Sequence, residues 1–270
     1  MRNLLLPVLT GAFFVLSSCS VKENRGPCPC YLDVTVDAST IDDGDCIVSV
    51  FTLNDGELAH RDTLSSDNPM LELPLKKGHY SANALWGLSQ CTLTDSLVVI
   101  PVGCECDSLY SSITPDVDAT GETANINFTR NKQFATLNLS FETEGEFPFG
   151  VALRGNVDGY NLRTLAPHEG EFFVIPEPLD ETNSLFRARL PRQKDNSLVI
   201  VLQERTQTAS TKVAVTDPNI IPLGEIIART QYDWSAESLE DIDITIDYVR
   251  AQITIHVCDW EAVVTMSFEI

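Results

Sequence analysis

Cysteines carry most of the chemistry that this 270-residue sequence offers, and the first of them sits in the most telling context. Leu16-Ser17-Ser18-Cys19 closes the apolar run Leu4–Leu16, which follows a single positive charge at Arg2. That run is too short for the roughly 20 residues of a spanning helix. Small residues just ahead of a cysteine are where a secretory cleavage site belongs. Leu at minus three, Ser18 at minus one and Cys19 directly after match the bacterial lipobox. The chemistry is a diacylglycerol thioether on Cys19, cleavage between Ser18 and Cys19, and acylation of the freed amine. Three acyl chains, each stabilised by about 0.8 kcal/mol per buried CH₂, hold far more tightly than one myristoyl chain. The bland alternative is an ordinary secretory signal followed by a chance cysteine. The spacing predicts a signal peptide over residues 1–18 and a polar, lipidated tether over 19–27.

With Cys19 acylated, seven cysteines remain: Cys28, Cys30, Cys46, Cys91, Cys104, Cys106 and Cys258. Such a number is unusual for a cytosolic chain and ordinary in an exported one. Because it is odd, at least one thiol is left over within the chain. Cys28-Pro29-Cys30 and Cys104-Glu105-Cys106 stand out, since residues two apart on a strand share a face. Two such pairs on neighbouring strands make Cys28, Cys30, Cys104 and Cys106 candidates for disulfides. Free thiols and a tetrathiolate metal site are the other readings, although the usual zinc spacing is C-x₂₋₄-C.

The composition fits a lipid-held globular chain. Loss of residues 1–18 leaves 17 basic against 39 acidic residues, a formal charge of −22. Strong acidity keeps a protein soluble beside a membrane and excludes nucleic acid as a partner, because phosphates need Lys and Arg. A hydrophobic fraction of 43% is enough for a folded core rather than a disordered chain.

The elements that must carry these residues are strands. Leu32–Asp37 alternates apolar and polar with period two, the mark of a half-buried strand. Ile47–Leu53, Met70–Leu75, Gly78–Gly87, Ser96–Ile100 and Thr123–Phe128 follow, with Tyr80, Ala82, Ala84 and Trp86 on one face. Arg130-Asn131-Lys132 breaks the pattern, and a second series opens at Ala135, Leu137, Leu139 and Phe141. Gly150–Arg154, Phe172–Ile175, Leu185–Leu190 and Leu198–Leu202 continue it, with Arg187 and Arg189 facing out. Short helical turns are expected near Pro222–Gln231 and Ser235–Leu239. The apolar parity of Ile253, Ile255 and Val257 is odd, whereas that of Trp260, Val264 and Met266 is even. A one-residue slip exchanges the faces of a strand. A turn near Cys258–Glu261 is therefore predicted, with a hairpin of 250–258 and 262–270. Many short strands between Gly, Pro, Asn and Asp turns imply an all-β chain of antiparallel β-sandwiches. The break near 130 predicts an N-terminal sandwich over 28–130 and a C-terminal one over 131–270.

Catalytic signatures are wanting. His60, His79, His168 and His256 lie in no metal or nucleophile motif, and neither G-x-S-x-G nor H-E-x-x-H occurs. Asp116–Glu122 is spaced faintly like a calcium loop, but Asn127 stands where a Glu would be needed, and an acidic turn is the simpler reading. Asp241, Asp243 and Asp247 follow the strand alternation as a solvated face. What remains is backbone chemistry. A terminal strand with free N–H and C=O groups either closes its own sheet or completes a neighbour's. Ile253, Ile255, Val257 and Trp260 are the candidate strand interface for either role.

Taken together, these pieces resemble the fimbrillin-associated anchor subunits of Bacteroidia fimbriae. The likeness lies in the ordered set of Cys19, Arg25-Gly26-Pro27-Cys28-Pro29-Cys30 with its Leu-x-Val-x-Val strand, and Gly78-x-Tyr80 leading to Ala84-Leu85-Trp86-Gly87. It extends to Leu223-Gly224-Glu225 and to an ending of Ile242–Val249 and Ile253–Trp260, where Cys258 replaces the family's Asn. The resemblance implies two transthyretin-like sandwiches, no catalysis and no cofactor. It also implies a lipid anchor in the outer membrane at the cell surface, and a fimbrial shaft subunit (a pilin) as partner, joined by strand complementation. Shaft subunits of such pili are cut by an arginine-specific protease, and an anchor should be spared at Arg25. The second function in view is a glycan-binding surface lipoprotein of a nutrient-uptake system. Trp86 and Trp260 fall on expected buried faces, which leaves Trp234 as its one loop aromatic.

Overall fold

In the computed structural model, residues 25–41, 45–204, 219–247, 252–257 and 260–265 are described. The alternation read from Leu32 onward becomes β1 (Cys30–Val36), with Cys30, Leu32, Val34 and Val36 buried. β1 pairs antiparallel with β4 (Met70–Leu75) and parallel with β9 (Thr123–Phe128). Facing that sheet are β2 (Cys46–Thr52), β3 (Leu58–Leu64), β5 (His79–Trp86), β8 (Tyr110–Asp118) and β10 (Asn131–Lys132), in the order β10-β8-β5-β2-β3. Tyr80, Ala82, Ala84 and Trp86 point together into the core between the sheets, as their spacing requires.

The second half repeats this wiring. β11 (Phe134–Glu142) pairs antiparallel with β14 (Leu185–Pro191) and parallel with β17 (Ile242–Asp247). β12 (Phe149–Asn161) pairs with β13 (Pro167–Val174) and β15 (Val199–Glu204), and β15 pairs with β16 (Asn219–Ile221). Each partnership has its counterpart among β1 to β9, so one sandwich topology occurs twice with one parallel ladder in each copy. What the second copy adds is a hairpin, β18 (Gln252–Val257) and β19 (Trp260–Thr265), laid against β17. Its register, Ile253 opposite Val264 and Val257 opposite Trp260, accounts for the parity flip. Residues directly opposite each other share a side of the sheet, and in this register odd positions face even ones.

The helical turn expected over Pro222–Gln231 forms as α1 (Leu223–Ala228), which buries Ile226 and Ile227. Ser235–Leu239 is a loop rather than a helical turn. β3 and β8 escape the period-two test for different reasons: on β3 (Leu58–Leu64) only Leu64 is fully buried, and on β8 the buried positions include Ser111 and Ser112. Val213 and Val215 lie outside the described residues.

The two copies are interleaved. After β5 the chain leaves the first sandwich and inserts β6 (Thr92–Leu93) and β7 (Leu97–Val99) into the second, where β7 pairs with Gly159–Asn161 of β12. It then runs along the edge of β14 and returns as β8. Gly87 starts this excursion with φ of +79°, and a Cβ there would stand 2.1 Å from the Ser108 carbonyl oxygen. That explains the Trp-Gly ending of β5: only glycine tolerates both the left-handed backbone and the close approach. The neck is held by Asp107, 4% exposed, whose carboxylate accepts the backbone N–H groups of Ser89, Gln90 and Cys91 at 2.7, 2.9 and 2.8 Å. Burial by itself would raise the Asp107 pKa, but the Cys91, Ser89 and Gln90 hydrogen bonds together outweigh it and leave the pKa lowered.

Two predictions follow from the neck. Gly87→Ala should lower the stability to chemical unfolding by about 2 kcal/mol or more, the scale of a strained backbone with a steric clash. Asp107→Asn should cost about 1–2 kcal/mol at pH 7. A depressed folded pKa gives stability that is present above the unfolded value and lost as pH falls through the folded one. The gap in urea midpoint between wild type and Asp107→Asn should therefore shrink as pH is taken from 7 to below 4; a gap unchanged over that range refutes the charge assignment.

Candidate functional site: a sheet edge and a tether

The sheet β14-β11-β17-β18-β19 has two edges, and they are treated differently. At β14 the backbone is sealed. Leu179 N–H donates to the Leu185 carbonyl at 2.8 Å, and Cys106 N–H donates to the Arg189 carbonyl at 3.1 Å. The Arg189 N–H donates to Glu105 at 3.0 Å, while its guanidinium reaches Glu105 at 2.6 Å and the Cys106 carbonyl at 2.7 Å. Arg189, expected to face solvent, is therefore a clasp. The opposite edge is β19, and among the described residues no strand pairs with its outer side. An unpaired strand edge presents a row of donors and acceptors that another chain can extend.

The candidate interface residues divide accordingly. Ile253 is fully buried in the second core, and its strand is bonded to β17 on one side and β19 on the other. Ile255, Val257 and Trp260 occupy register positions in this hairpin. The unpaired backbone thus belongs to β19, which carries Trp260, whereas Ile253, Ile255 and Val257 lie on β18, one strand inward. The outward face is acidic and tied down: Asn138 donates to Asp243 at 2.6 Å and accepts from Arg187 at 2.8 Å. Asp241 accepts the Thr136 N–H at 2.7 Å and holds Lys132, so part of the aspartate row serves the fold.

At the other end of the chain, Ser18 and Cys19 lie outside the described residues. The tether enters at the β8–β9 turn, where Arg25 forms an exposed ion pair with Glu122 and Tyr31 N–H donates to the Glu122 carbonyl at 2.9 Å. In the same turn Asp118 accepts the Thr120 N–H at 3.0 Å, and Asp116 pairs with His79 at 2.9 Å, so these acids act as turn and strand partners. Among the described residues, no three His, Cys, Asp or Glu side chains converge to hold a metal ion.

The candidate disulfide residues are not brought together. Cys28 is exposed beside the tether and Cys30 is buried in the first core, whereas Cys106 is buried in the second core and Cys104 packs at its margin. The contact that does form is between Cys106 and Cys91, in the neck of the excursion. A pair so far apart in sequence, with no shared motif, has no period to betray it.

Sequence reasoning also missed the polar hub between the copies. Arg192, 3% exposed, donates to Gln133 Oε1 at 2.9 Å, to the Trp234 carbonyl at 2.6 Å and to the Ala236 carbonyl at 2.6 Å. Burial lowers its pKa. Beside it Trp234 stacks edge-on to Tyr232 at 4.6 Å and lines a cleft of about 530 Å³ together with Lys194 and Asp195.

Comparison with known proteins places this architecture. No protein-family model matches the sequence, and no curated protein is similar to it in sequence. Solved structures do match. The fimbrial anchor protein Mfa2 from Porphyromonas gingivalis shares 13% identity, covering 87% of this chain and 99% of its own, with a TM-score of 0.59. A candidate polysaccharide-binding protein from Bacteroides thetaiotaomicron shares 15% identity over 87% of this chain and 98% of its own, with a TM-score of 0.60. A candidate adhesin from Bacteroides ovatus shares 15% identity over 88% of this chain and 96% of its own, with a TM-score of 0.54. At these identities the likeness is one of fold: an all-β double sandwich of the kind found in fimbrial and adhesin proteins.

The division of labour within the hairpin is open to test. Ile253→Ala should destabilise the fold by about 2–4 kcal/mol, as removal of a fully buried Ile side chain does. An unfolding midpoint unchanged in urea would return Ile253 to the surface and to a partner.

Proposed function

We propose that this protein is a lipid-anchored, non-catalytic fimbrial subunit that fixes the fimbrial shaft to the outer membrane. The observation that carries this reading is the match in fold along almost the full length of a fimbrial anchor protein, in a chain that opens with a lipobox. The two ends of such a subunit have separate tasks. Acyl chains on Cys19 hold the membrane through the tether of residues 19–27, which joins the first sandwich at the β8–β9 turn. The two sandwiches, dividing near residue 130, hold the open edge of β19 at the far end of the chain sequence. A strand from a shaft subunit completes that edge, with main-chain hydrogen bonds supplying affinity and alternate side chains supplying fit. An edge that binds backbone needs no acid, base or nucleophile, in keeping with a sequence that has no catalytic motif.

A surface glycan-binding role is the alternative, and the cleft beside Trp234 favours it. Against it, Trp234 is only half exposed, and the Arg192 guanidinium beneath it is already engaged by main-chain carbonyls.

Replacement of Cys19 by Ala is the direct test. Wild-type protein should sit in the outer-membrane fraction, begin at an acylated Cys19 and co-purify with a shaft subunit in SDS-resistant assemblies. The Cys19→Ala protein should leave the membrane fraction, and its cells should shed their filaments. Membrane retention of the variant with filaments still rooted overturns the anchor, as does a wild-type chain that begins at Gly26. Retention on glycan resin without any bound subunit would favour the alternative.

A further inference from the structure

We infer that Cys91 and Cys106 form a disulfide in the exported protein, closing the neck of the excursion that binds the two sandwiches together. The inference rests on the reading of residues 1–19 as an export signal, since cytosolic thiols are kept reduced. Its geometry is independent of that reading. Asp107 takes the Cys91 N–H at 2.8 Å together with those of Ser89 and Gln90, which fixes the bend at 89–91 against the residue next to Cys106. Cys106 is itself held, its N–H donating to the Arg189 carbonyl at 3.1 Å and its carbonyl accepting the Arg189 guanidinium at 2.7 Å. Both cysteines are buried in the second core, at 6% and 1% exposure. Their thiols share a hydrogen bond, which with burial raises the Cys106 pKa well above that of a free thiol.

The other described thiols have no such neighbour in the hydrogen-bonding pattern. Cys46 is pushed up to about 12 by burial, with the Leu85 backbone as its contact, and Cys30 is raised by burial first, with Lys77, Asp118 and Asp33 as its charged neighbours. Cys28 is exposed at the tether.

Burial and a raised pKa both suppress thiolate, the attacking species, so the bond must form while the neck is still open during folding. One thiol attacks the disulfide of an exported thiol oxidoreductase, giving a mixed disulfide and releasing one thiol of the oxidant. The second thiol displaces the other, so that two cysteine thiols are oxidised and one oxidant disulfide is reduced to two thiols. The consequence is mechanical. A pull along the fimbria is transmitted through the junction of the sandwiches, where β6 and β7 are joined to the second sheet by short ladders and by the burial of Val98 and Ile100, with no covalent tie. A covalent neck turns that insertion into a closed loop.

The test begins with full-length protein extracted from the cell envelope, denatured, alkylated with N-ethylmaleimide without reductant and mapped by mass. A linked peptide pair containing Cys91 and Cys106, with Cys28 and Cys104 alkylated, is expected. Alkylation of both Cys91 and Cys106 overturns the inference. Refolding of the reduced protein in a glutathione–glutathione disulfide buffer then separates the causes. If the bond forms there, the export reading has failed; if it does not, the geometry has failed. The Cys91→Ser/Cys106→Ser double variant should melt about 5–10 °C below the oxidised wild type, the scale expected for a loop of this size. Reduction with dithiothreitol should remove that difference, whereas a packing effect of the two substitutions alone would survive it.

Discussion

The central strands β5 and β2 of the sheet β10-β8-β5-β2-β3 are buried on both faces, and the rest of the molecule accommodates that constraint. One face packs Tyr80, Ala82, Ala84 and Trp86 into the first core, while Phe51 and Leu85 on the other join the second. An antiparallel sheet in a small sandwich ordinarily keeps one face for water. Here the second face is partly polar, with Ser49, Ser81, Asn83 and Ser111 all buried. Buried polar groups must be satisfied, and several are: Asn83 donates to Ser111 Oγ at 2.7 Å, and Ser49 accepts from Arg61 Nε at 2.8 Å. The Arg61 fork continues to the carbonyls of Thr94 and Asp95 at 3.0 and 2.5 Å, which secures the turn of the inserted hairpin to the first sandwich.

That junction is why the two copies behave as neighbours sharing a layer rather than as beads on a linker. Residues 131–133, where the apolar pattern lapses, are not a spacer. Asn131 and Lys132 complete the edge of the first sheet, and Gln133 is fully buried between donors and acceptors from both halves. Its backbone N–H reaches the Leu109 carbonyl at 2.9 Å, and its side-chain oxygen receives Arg192. A buried cation coordinated by carbonyl dipoles rather than by a carboxylate avoids a full ion-pair desolvation, yet it leaves several carbonyls orphaned if it is removed. Specificity of the junction resides in these polar contacts, and the apolar cores on either side supply the bulk of the driving force.

Edges complete the physical logic. The two halves use the same wiring, but in the first half β9 ends its sheet, whereas in the second the equivalent β17 is covered by the hairpin β18–β19. The hairpin moves the open edge outward by two strands, away from the clasped side where Arg189 and Glu105 lock β14. Among the described residues the sheet therefore has one sealed edge and one unpaired edge, and only the latter offers free backbone groups.

Alternation with period two reports the two faces of a strand from its own residues, so the sequence by itself determined the all-β class, most strand positions and their inward faces. It determined the hairpin of β18 and β19 as well, because parity flips only across a turn or bulge. The tertiary structure alone decided what long loops bring together: the parallel pairing of β1 with β9 and of β11 with β17, and the insertion of β6 and β7 into the second sheet. It also decided that Cys106 meets Cys91 rather than Cys28 or Cys30, and that Arg189 and Arg192 bind main chain rather than water. Partners across such distances leave no periodic trace, since any residue of suitable size and polarity can end a loop, and only the packed fold selects which one does.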